Sequence, residues 1–152
     1  MTVKIVEHNE LKLIGIPCIS LKAMPSKYEN AKEGLLSVAK HLPQVINEQV
    51  HYGIWPQSDV QKNPETHVYI LCVEVSSFEG IPEWFFKTTI DPQKCVVAID
   101  NSEKCYDNAG EKIGQFLKEN GLKTSSENRK YTICERYDYE GEGYSRYSLP
   151  II

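Results

Sequence analysis

Strand-like and helix-like patterns follow one another in the same order in the two halves of this chain. Each half begins with alternating apolar residues, continues with a helical pattern and ends with two further strand patterns. This repeat predicts an α+β fold of pseudo-duplicated strand-helix-strand-strand units, with two helices on one face of a mainly antiparallel, curved sheet. We expect the 152 residues to form one domain over 1–152, with pseudo-repeats at about 1–76 and 82–152.

The first pseudo-repeat contains strand patterns at residues 3–21, with a bend near residue 9, and at residues 50–55 and 67–75. Ser26 and Glu29 have the spacing of a capping box, which predicts the start of a helix. Pro43 ends or kinks that helix because proline lacks a backbone N–H. Gly80 and Pro82 mark the joint between the two halves.

The second pseudo-repeat opens with strand patterns at residues 84–90 and 94–99. A helix is predicted from Asn101 or Ser102 to Gly121, and a shorter helix that starts at Asp107 is the alternative. Two last strands are predicted at residues 131–139 and 144–152, on either side of a glycine-rich turn.

Composition restricts the classes of partner. A formal net charge of -4 without a long basic run argues against direct binding of nucleic acid. No apolar run approaches the ~20 residues of a membrane span, and the N-terminus does not resemble a signal peptide, so we expect a cytoplasmic protein without membrane contact. The five cysteines are odd in number and lack a C-x-x-C pair, which favours buried, reduced thiols. We expect neither a metal nor another cofactor.

One stretch places a carboxylate among apolar and aromatic residues. Strict alternation over residues 131–139 puts Tyr131, Ile133, Glu135, Tyr137 and Tyr139 on one face of a strand. A carboxylate that stays charged away from water needs a partner, because desolvation is costly. That partner is either Arg136, Arg146 or Lys87, or it comes from outside the chain. Alternatively, the face is half exposed and Glu135 is hydrated.

A second carboxylate, Glu74, ends the otherwise apolar face of the strand at residues 67–75. If Glu74 and Glu135 line one cleft, they could share a proton or hold a cation. The alternative is that Glu74 closes a strand edge and meets solvent.

Aromatic residues gather at the predicted strands, and some of them would surround Glu135. A site that combines aromatic faces with one negative charge is suited to bind flat, lipophilic organic cations. Each good cation–π contact contributes an attraction of ~0.5 to 2 kcal/mol. The candidate ligand-binding residues are Glu135, Tyr137, Glu74, Trp84, Phe86, Tyr52, Trp55 and Tyr147.

Several short motifs, in this order and spacing, resemble the GyrI-like effector-binding domain family of multidrug-responsive transcription activators, which also includes free-standing integron-associated proteins. The matching motifs are Lys4-Ile5-Val6-Glu7, Leu13-Ile14-Gly15-Ile16, Tyr52-Gly53-Ile54-Trp55, Cys72-Val73-Glu74-Val75, Thr89-Ile90-Asp91-Pro92, Cys134-Glu135-Arg136-Tyr137 and Tyr147-Ser148-Leu149-Pro150-Ile151. The resemblance implies a pseudo-twofold pair of strand-helix-strand-strand units. It also implies that Glu135 is the acidic residue that meets cationic drugs in an aromatic pocket.

The chain departs from the family pattern in two respects. Cys72 stands where a glycine is usual, which narrows that part of the cleft. Neither end has a winged-helix or helix-turn-helix pattern, so the resemblance implies ligand sensing without direct DNA binding.

Three functions remain open from the sequence. The first, which we expect, is a binding module for amphipathic organic cations rather than an enzyme. The second is a hydrolase of electrophilic small molecules, with Glu135 or Glu74 as general base and Tyr137 or Tyr147 as acid. The third is an interaction protein for a regulator or DNA gyrase, with an acidic surface built from Asp138, Glu140 and Glu142.

Overall fold

The computed structural model describes residues 1–21, 25–57, 62, 66–100 and 106–152, and within these ranges it describes the side chains except those of 18–21, 25–30, 66–67 and 106–107. The elements are β1 Thr2–His8, β2 Leu11–Leu21, α1 Pro25–Ala39, β3 Val50–Pro56, β4 Thr66–Glu74, β5 Phe86–Ile90, β6 Gln93–Asp100, α2 Tyr106–Glu119, β7 Tyr131–Asp138 and β8 Gly143–Tyr147. The predicted α+β class is confirmed.

The strands form one antiparallel sheet of eight strands in the order β1-β6-β8-β7-β3-β4-β2-β5. This order is symmetric about the β7–β3 pair, because each strand on one side has its counterpart from the other half of the chain at the same distance. The two halves therefore join at the centre of the sheet, where β3 pairs with β7 along its length.

The sheet curls into a half-barrel. β1 is one edge strand and β2 lies beside the other edge, yet only two residues separate the end of β1 at His8 from the start of β2 at Leu11. Such a link reaches at most ~11 Å, so the two ends of the sheet must approach each other. The rings of Phe86 on β5 and Tyr131 on β7 also meet at 5.2 Å across the curl. The sheet thus has a concave and a convex face.

The two helices whose bounds are given above, α1 and α2, both cover the convex face. α1 packs on β2 and β4, where its Leu35 meets Ile14 and Leu71, and α2 packs mainly on β6, where its Ile113 meets Val96. Between the helices lie the central strands β7 and β3. The concave face carries a separate apolar cluster, which includes Leu13, Ile54, Ile70, Cys72 and Ile133.

Element ends differ from the predictions at two places. α1 ends at Ala39 rather than Pro43, because the N–H groups of His41 and Leu42 donate to carbonyls three residues back instead of four, which breaks the helical ladder. β8 ends at Tyr147 rather than Ile152, since the Ser148 hydroxyl accepts the Val96 N–H at 2.9 Å and Pro150 has no N–H for a ladder.

The side chains predicted to cap the two helices fall outside those that the structure describes, although α1 itself is described from Pro25. The side chains of the capping box at Ser26 and Glu29 are not among those described, and neither are Asn101 and Ser102. α2 is described from Tyr106, one residue before the alternative start at Asp107.

A β-bulge at Cys134 overturns the predicted alternation of β7. Gly53 pairs with Glu135, whereas the next residue of β3, Ile54, pairs with Ile133, so Cys134 is the extra residue. The residues before the bulge therefore change faces relative to those after it. Ile133, like Tyr131, packs on the concave side, whereas Glu135 faces the convex side. The prediction that all of them share a face was wrong.

The predicted burial of reduced thiols is confirmed for Cys72, Cys95 and Cys134, which are buried and form no disulfide. The side chains of Cys18 and Cys105 lie outside the described residues. In the described part of the chain, neither helix combines the length and apolar character that crossing a bilayer requires.

Candidate functional site

Glu135 lies on the convex face of the sheet, on the central strand β7 between the two helices. Its neighbours across the strands are Gly53 on β3 and Arg146 on β8. Because neither of the two described helices, α1 and α2, packs mainly on β7 or β3, the half-buried carboxylate faces a groove between these two helices. We call this groove, lined by Gly53, Trp55, Glu135 and Arg146 with their neighbours, the central groove.

The Glu135 carboxylate is hydrogen bonded within its own strand. The Tyr137 hydroxyl donates to Oε2 at 2.8 Å, and the Cys134 thiol lies 3.9 Å from Oε1. Among the described residues, no lysine or arginine nitrogen comes within 4.0 Å of a Glu135 oxygen. The carboxylate therefore has polar contacts but no close cationic partner in the described part of the chain.

Of the three internal cations considered as partners, only Arg146 lies directly beside Glu135 on the same face, since Lys87 is on the edge strand β5, four strands away from β7. Arg136 follows Glu135 in sequence and points to the concave side, where its Nη1 lies 3.7 Å from Asp138. The Lys87 ammonium donates to the Ile81 carbonyl at 3.4 Å. Neither of them neutralises Glu135.

Arg146 extends across the groove instead of clasping the carboxylate. Its guanidinium lies 5.7 Å from the centre of the Trp55 ring, on the next strand but one. Burial lowers the pKa of Arg146, but the neighbouring Cys134, Tyr144 and Glu135 outweigh burial, so the pKa is raised. Arg146 is therefore a permanent positive charge that partly offsets Glu135.

Aromatic rings form the walls of the central groove. Tyr137 and Tyr144 are opposite residues of β7 and β8, with ring centres 5.4 Å apart. Burial and the negative charge of Glu135 raise the pKa of Tyr144, which keeps its hydroxyl protonated. Tyr69 of β4 lies across Gly53, and Trp55 stands two residues further along β3. A negative charge is thus surrounded by rings on four strands.

The structure does not bring all of the predicted ligand-binding residues together. Glu135, Tyr137 and Trp55 share the central groove. Tyr52, Glu74, Phe86 and Tyr147 lie on the concave face, since they pack with the concave cluster or share its strand positions. Trp84 is 64% exposed in the segment before β5 and stacks on Phe85 at 4.1 Å.

The condition for a shared proton or cation is not met, because Glu74 and Glu135 lie on opposite faces of the sheet and do not line one cleft. Glu74 pairs with Leu13 and shares the concave face with Cys72, whereas Glu135 shares the convex face with Arg146. Burial raises the pKa of Glu74, and the nearby His8 and Arg136 oppose that shift. The two groups cannot share a proton through the sheet.

The predicted acidic surface is partly neutralised. Arg136 lies 3.7 Å from an oxygen of Asp138 and 3.7 Å from one of Glu142, and Lys4 also lies 3.7 Å from Glu142. Only Glu140, which is exposed, remains of the predicted acidic set without an ion pair among the described residues.

Sequence reasoning missed Tyr69 and Tyr144 as groove residues and considered Arg146 only as a direct partner of Glu135. The signal for Tyr144 was its position across a short turn from Tyr137, which makes the two residues opposite neighbours in a hairpin. No pattern in the sequence around Tyr69 indicated that it lines the groove, because β4 reaches the groove only through its pairing with β3.

A carboxylate among aromatic rings, in a groove between two helices on a curled sheet, has the composition of a small-molecule binding site in an α+β domain. Residues 4–149 match the family of integron-associated effector binding proteins, Cass2, and the chain belongs to this family. The resemblance recognised in the sequence is thereby confirmed. Among proteins of curated function, none matches the sequence.

Three proteins of known structure share the fold. SAV2435, solved with bound tetraphenylphosphonium, is 14% identical with a TM-score of 0.61, and the match covers 100% of this chain and 94% of that chain. The EcmrR C-terminal domain is 14% identical with a TM-score of 0.68, and the match covers 99% and 97%. In the EcmrR–DNA complex, this chain covers only 57% of the EcmrR chain. An integron cassette protein of Vibrio cholerae is 16% identical with a TM-score of 0.56, over 99% and 95%.

Proposed function

We propose that this protein is a small-molecule effector-binding domain whose central groove takes amphipathic, lipophilic organic cations. The observation that carries the proposal is the Glu135 carboxylate, which lies among aromatic rings and has no cationic nitrogen within 4.0 Å in the described part of the chain. A cationic ligand would supply a counter-ion closer to the carboxylate than Arg146 is. The tetraphenylphosphonium bound to SAV2435, which has the same fold, supports this ligand class.

Physical chemistry favours a large, delocalised cation over a small one. The groove offers ring faces of Trp55, Tyr137 and Tyr144, which attract a cation by ~0.5 to 2 kcal/mol per good contact. A delocalised cation loses less hydration on entering a half-buried site than a compact ammonium does. Aryl groups would fill the groove while the positive centre approaches Glu135.

The regulatory role that we propose is ligand sensing on behalf of another protein or domain. Membership of the effector-binding family and the fold shared with the EcmrR C-terminal domain support it. The output would be a change at the surface near the helices when the groove is occupied.

The test compares two ligands that differ mainly in charge. Methyltriphenylphosphonium and triphenylphosphine oxide have nearly the same size, but only the first is a cation. We expect Glu135→Gln to weaken binding of the cation by about tenfold, the cost of one charge-assisted contact of ~1.4 kcal/mol, and to leave the oxide nearly unchanged. Calorimetric titration measures both affinities.

Glu74→Gln is the matched control, because it removes the same charge from the opposite face of the sheet. It should leave the affinity for both ligands unchanged. Equal losses for cation and oxide in Glu135→Gln would reject the counter-ion role.

Hydrolysis is a second candidate that one contact favours. The hydroxyl of Tyr137 donates to Glu135 at 2.8 Å, which places a proton donor and a general base side by side. Incubation with an electrophilic cyclopropane substrate tests this alternative. A rate above background that Glu135→Gln and Tyr137→Phe both abolish would establish it, and a background rate in the unaltered protein would reject it.

A further inference from the structure

A second cavity lies on the concave face of the sheet, on the opposite side from the central groove. Its volume is about 280 Å³, and β1, β6, β7, β8 and β3 all contribute to its walls. The lining includes Lys4, His8, Tyr52, Arg136, Glu142 and Tyr147. We call it the concave cavity.

The concave face is therefore asymmetric, although the two halves of the fold are related. In the first half the same face is filled by buried side chains such as Leu13, Ile54 and Ile70. In the second half that space is open and lined by charged and aromatic side chains. The second half thus has a polar cavity where the first half has a packed apolar core.

The carboxylate of Glu142 bridges two cations at this cavity. Its Oε1 lies 3.7 Å from Lys4 Nζ, and its Oε2 lies 3.7 Å from Arg136 Nη1. Both distances exceed that of a hydrogen bond, and the Glu142 side chain is 52% exposed in the turn after β7. A loosely held side chain thus occupies the position that a ligand carboxylate would take.

Arg136 is the group best placed to bind such a ligand. Its side chain is 22% exposed, and its guanidinium lies 5.8 Å from the centre of the Tyr52 ring. An oxygen of its other acidic neighbour, Asp138, also lies 3.7 Å from Arg136 Nη1. Neither the Asp138 nor the Glu142 carboxylate therefore comes within hydrogen-bond distance of the guanidinium N–H donors. A planar carboxylate fits that fork with two parallel hydrogen bonds.

A further unsatisfied group lies at the same cavity. His8 Nδ1 is 2.6 Å from the Asn9 carbonyl, which assigns the proton to Nδ1. His8 Nε2 is buried and has no hydrogen-bond partner among the described residues. A buried polar atom that has no partner in the chain commonly forms its hydrogen bond with a ligand or a water molecule.

We propose that the concave cavity is a second ligand site, which takes a small aromatic carboxylate. The ligand carboxylate displaces Glu142 and pairs with Arg136, while its ring lies beside Tyr52 and Tyr147 and against the apolar side chain of Val97. The volume of about 280 Å³ lies just below the ~300–1,000 Å³ typical of ligand pockets, which limits the ligand to about one ring.

The two sites are separate, although their charged residues are consecutive in sequence. Glu135 and Arg136 point to opposite faces of β7, so one site offers a negative charge to a cation and the other offers a positive charge to an anion. The second site does not depend on the function proposed for the central groove.

The experiment measures binding of benzoate by NMR titration of the full chain, with neutral benzamide as the matched ligand. We expect benzoate to bind and benzamide to bind at least tenfold more weakly. Arg136→Gln should weaken benzoate at least tenfold, and Arg136→Lys should weaken it less. Glu142→Gln should strengthen it at least threefold, because the competing carboxylate is removed.

Two controls separate this site from general charge effects and from the central groove. Lys94→Gln removes one positive charge at an exposed position whose side chain is outside the cavity, and it should leave benzoate binding unchanged. Glu135→Gln should also leave benzoate binding unchanged, even where it weakens a cation. The proposal is overturned if Glu142→Gln fails to strengthen benzoate, or if Arg136→Gln acts no more strongly than Lys94→Gln.

Discussion

The hydroxyl of Tyr69 fills the space beside Gly53 that any larger side chain would need. A Cβ at Gly53 would collide with the hydroxyl and the ring of Tyr69, and Gly53 is itself the residue of β3 that pairs with Glu135. Gly53 is not among the glycines with a positive φ, so glycine is required there for space and not for backbone conformation. This close approach sets the position of one aromatic wall of the central groove.

Gly53→Ala should therefore destabilise the protein by about 2 to 3 kcal/mol, since overpacking forces Tyr69 to move. Denaturant titration measures the loss. Gly114→Ala on α2 is the matched control, because a Cβ there meets no atom within 4 Å. That change should stabilise the helix by ~0.5 to 1 kcal/mol, and equal effects of the two substitutions would contradict the steric account.

His51 should make stability depend on pH. Burial lowers the pKa of His51 from 6.5 to about 4, and the nearby Lys32 adds to the effect, although the hydrogen bond to Glu48 opposes it. Between these pH values the unfolded chain binds the extra proton, so stability falls as pH falls from about 6.5 to about 4, by ~3 kcal/mol in total.

Chemical denaturation across that pH range measures the contribution of His51. His51→Gln should remove a large part of the slope, whereas His41→Gln at an exposed position should not. A slope that survives in His51→Gln would show that other groups cause it.

The two tryptophans should report differently on ligand binding. Trp55 lies in the central groove near Arg146, whereas Trp84 is 64% exposed and stacks on Phe85. Methyltriphenylphosphonium should therefore quench the fluorescence of Trp84→Phe, which keeps Trp55, and leave that of Trp55→Phe nearly unchanged. The reverse result would place the cation outside the central groove.

Removal of Arg146 should strengthen the binding of a cation. Its guanidinium shares the groove with Glu135 and offsets the attraction that the carboxylate exerts. Arg146→Gln should raise the affinity for methyltriphenylphosphonium several-fold in calorimetric titration, at ~0.5 to 1 kcal/mol for a charge in a partly exposed site. Lys94→Gln, with the same change of charge at the surface, should have no effect.

The bulge at Cys134 explains why the faces of β7 could not be read from the sequence. Alternation is a local rule and assumes that each residue has one partner on the neighbouring strand. Here Gly53 and Ile54 of β3 pair with residues two apart, Glu135 and Ile133, so every face assignment before the bulge is reversed. The pairing with β3, which lies far away in the sequence, decides this.

Glu74 illustrates the same limit between strands. The alternation of β4 was predicted well, since Ile70 and Cys72 face one side and Leu71 and Val73 face the other. Local alternation nevertheless does not say which side of β4 matches which side of β7. Only the ladder from β4 through β3 to β7 places Glu74 and Glu135 on opposite faces.

By itself, the sequence determined the order of strands and helices, the burial of the described thiols and the presence of a carboxylate beside tyrosines in β7. These features depend on neighbouring residues and on periodicity, which are local properties of a chain. The tertiary structure alone decided which aromatic residues join Glu135, that Arg146 shares its groove and that Arg136 opens onto a different cavity. Those relationships arise from strand register and curl, because they depend on contacts between residues that are distant in the sequence.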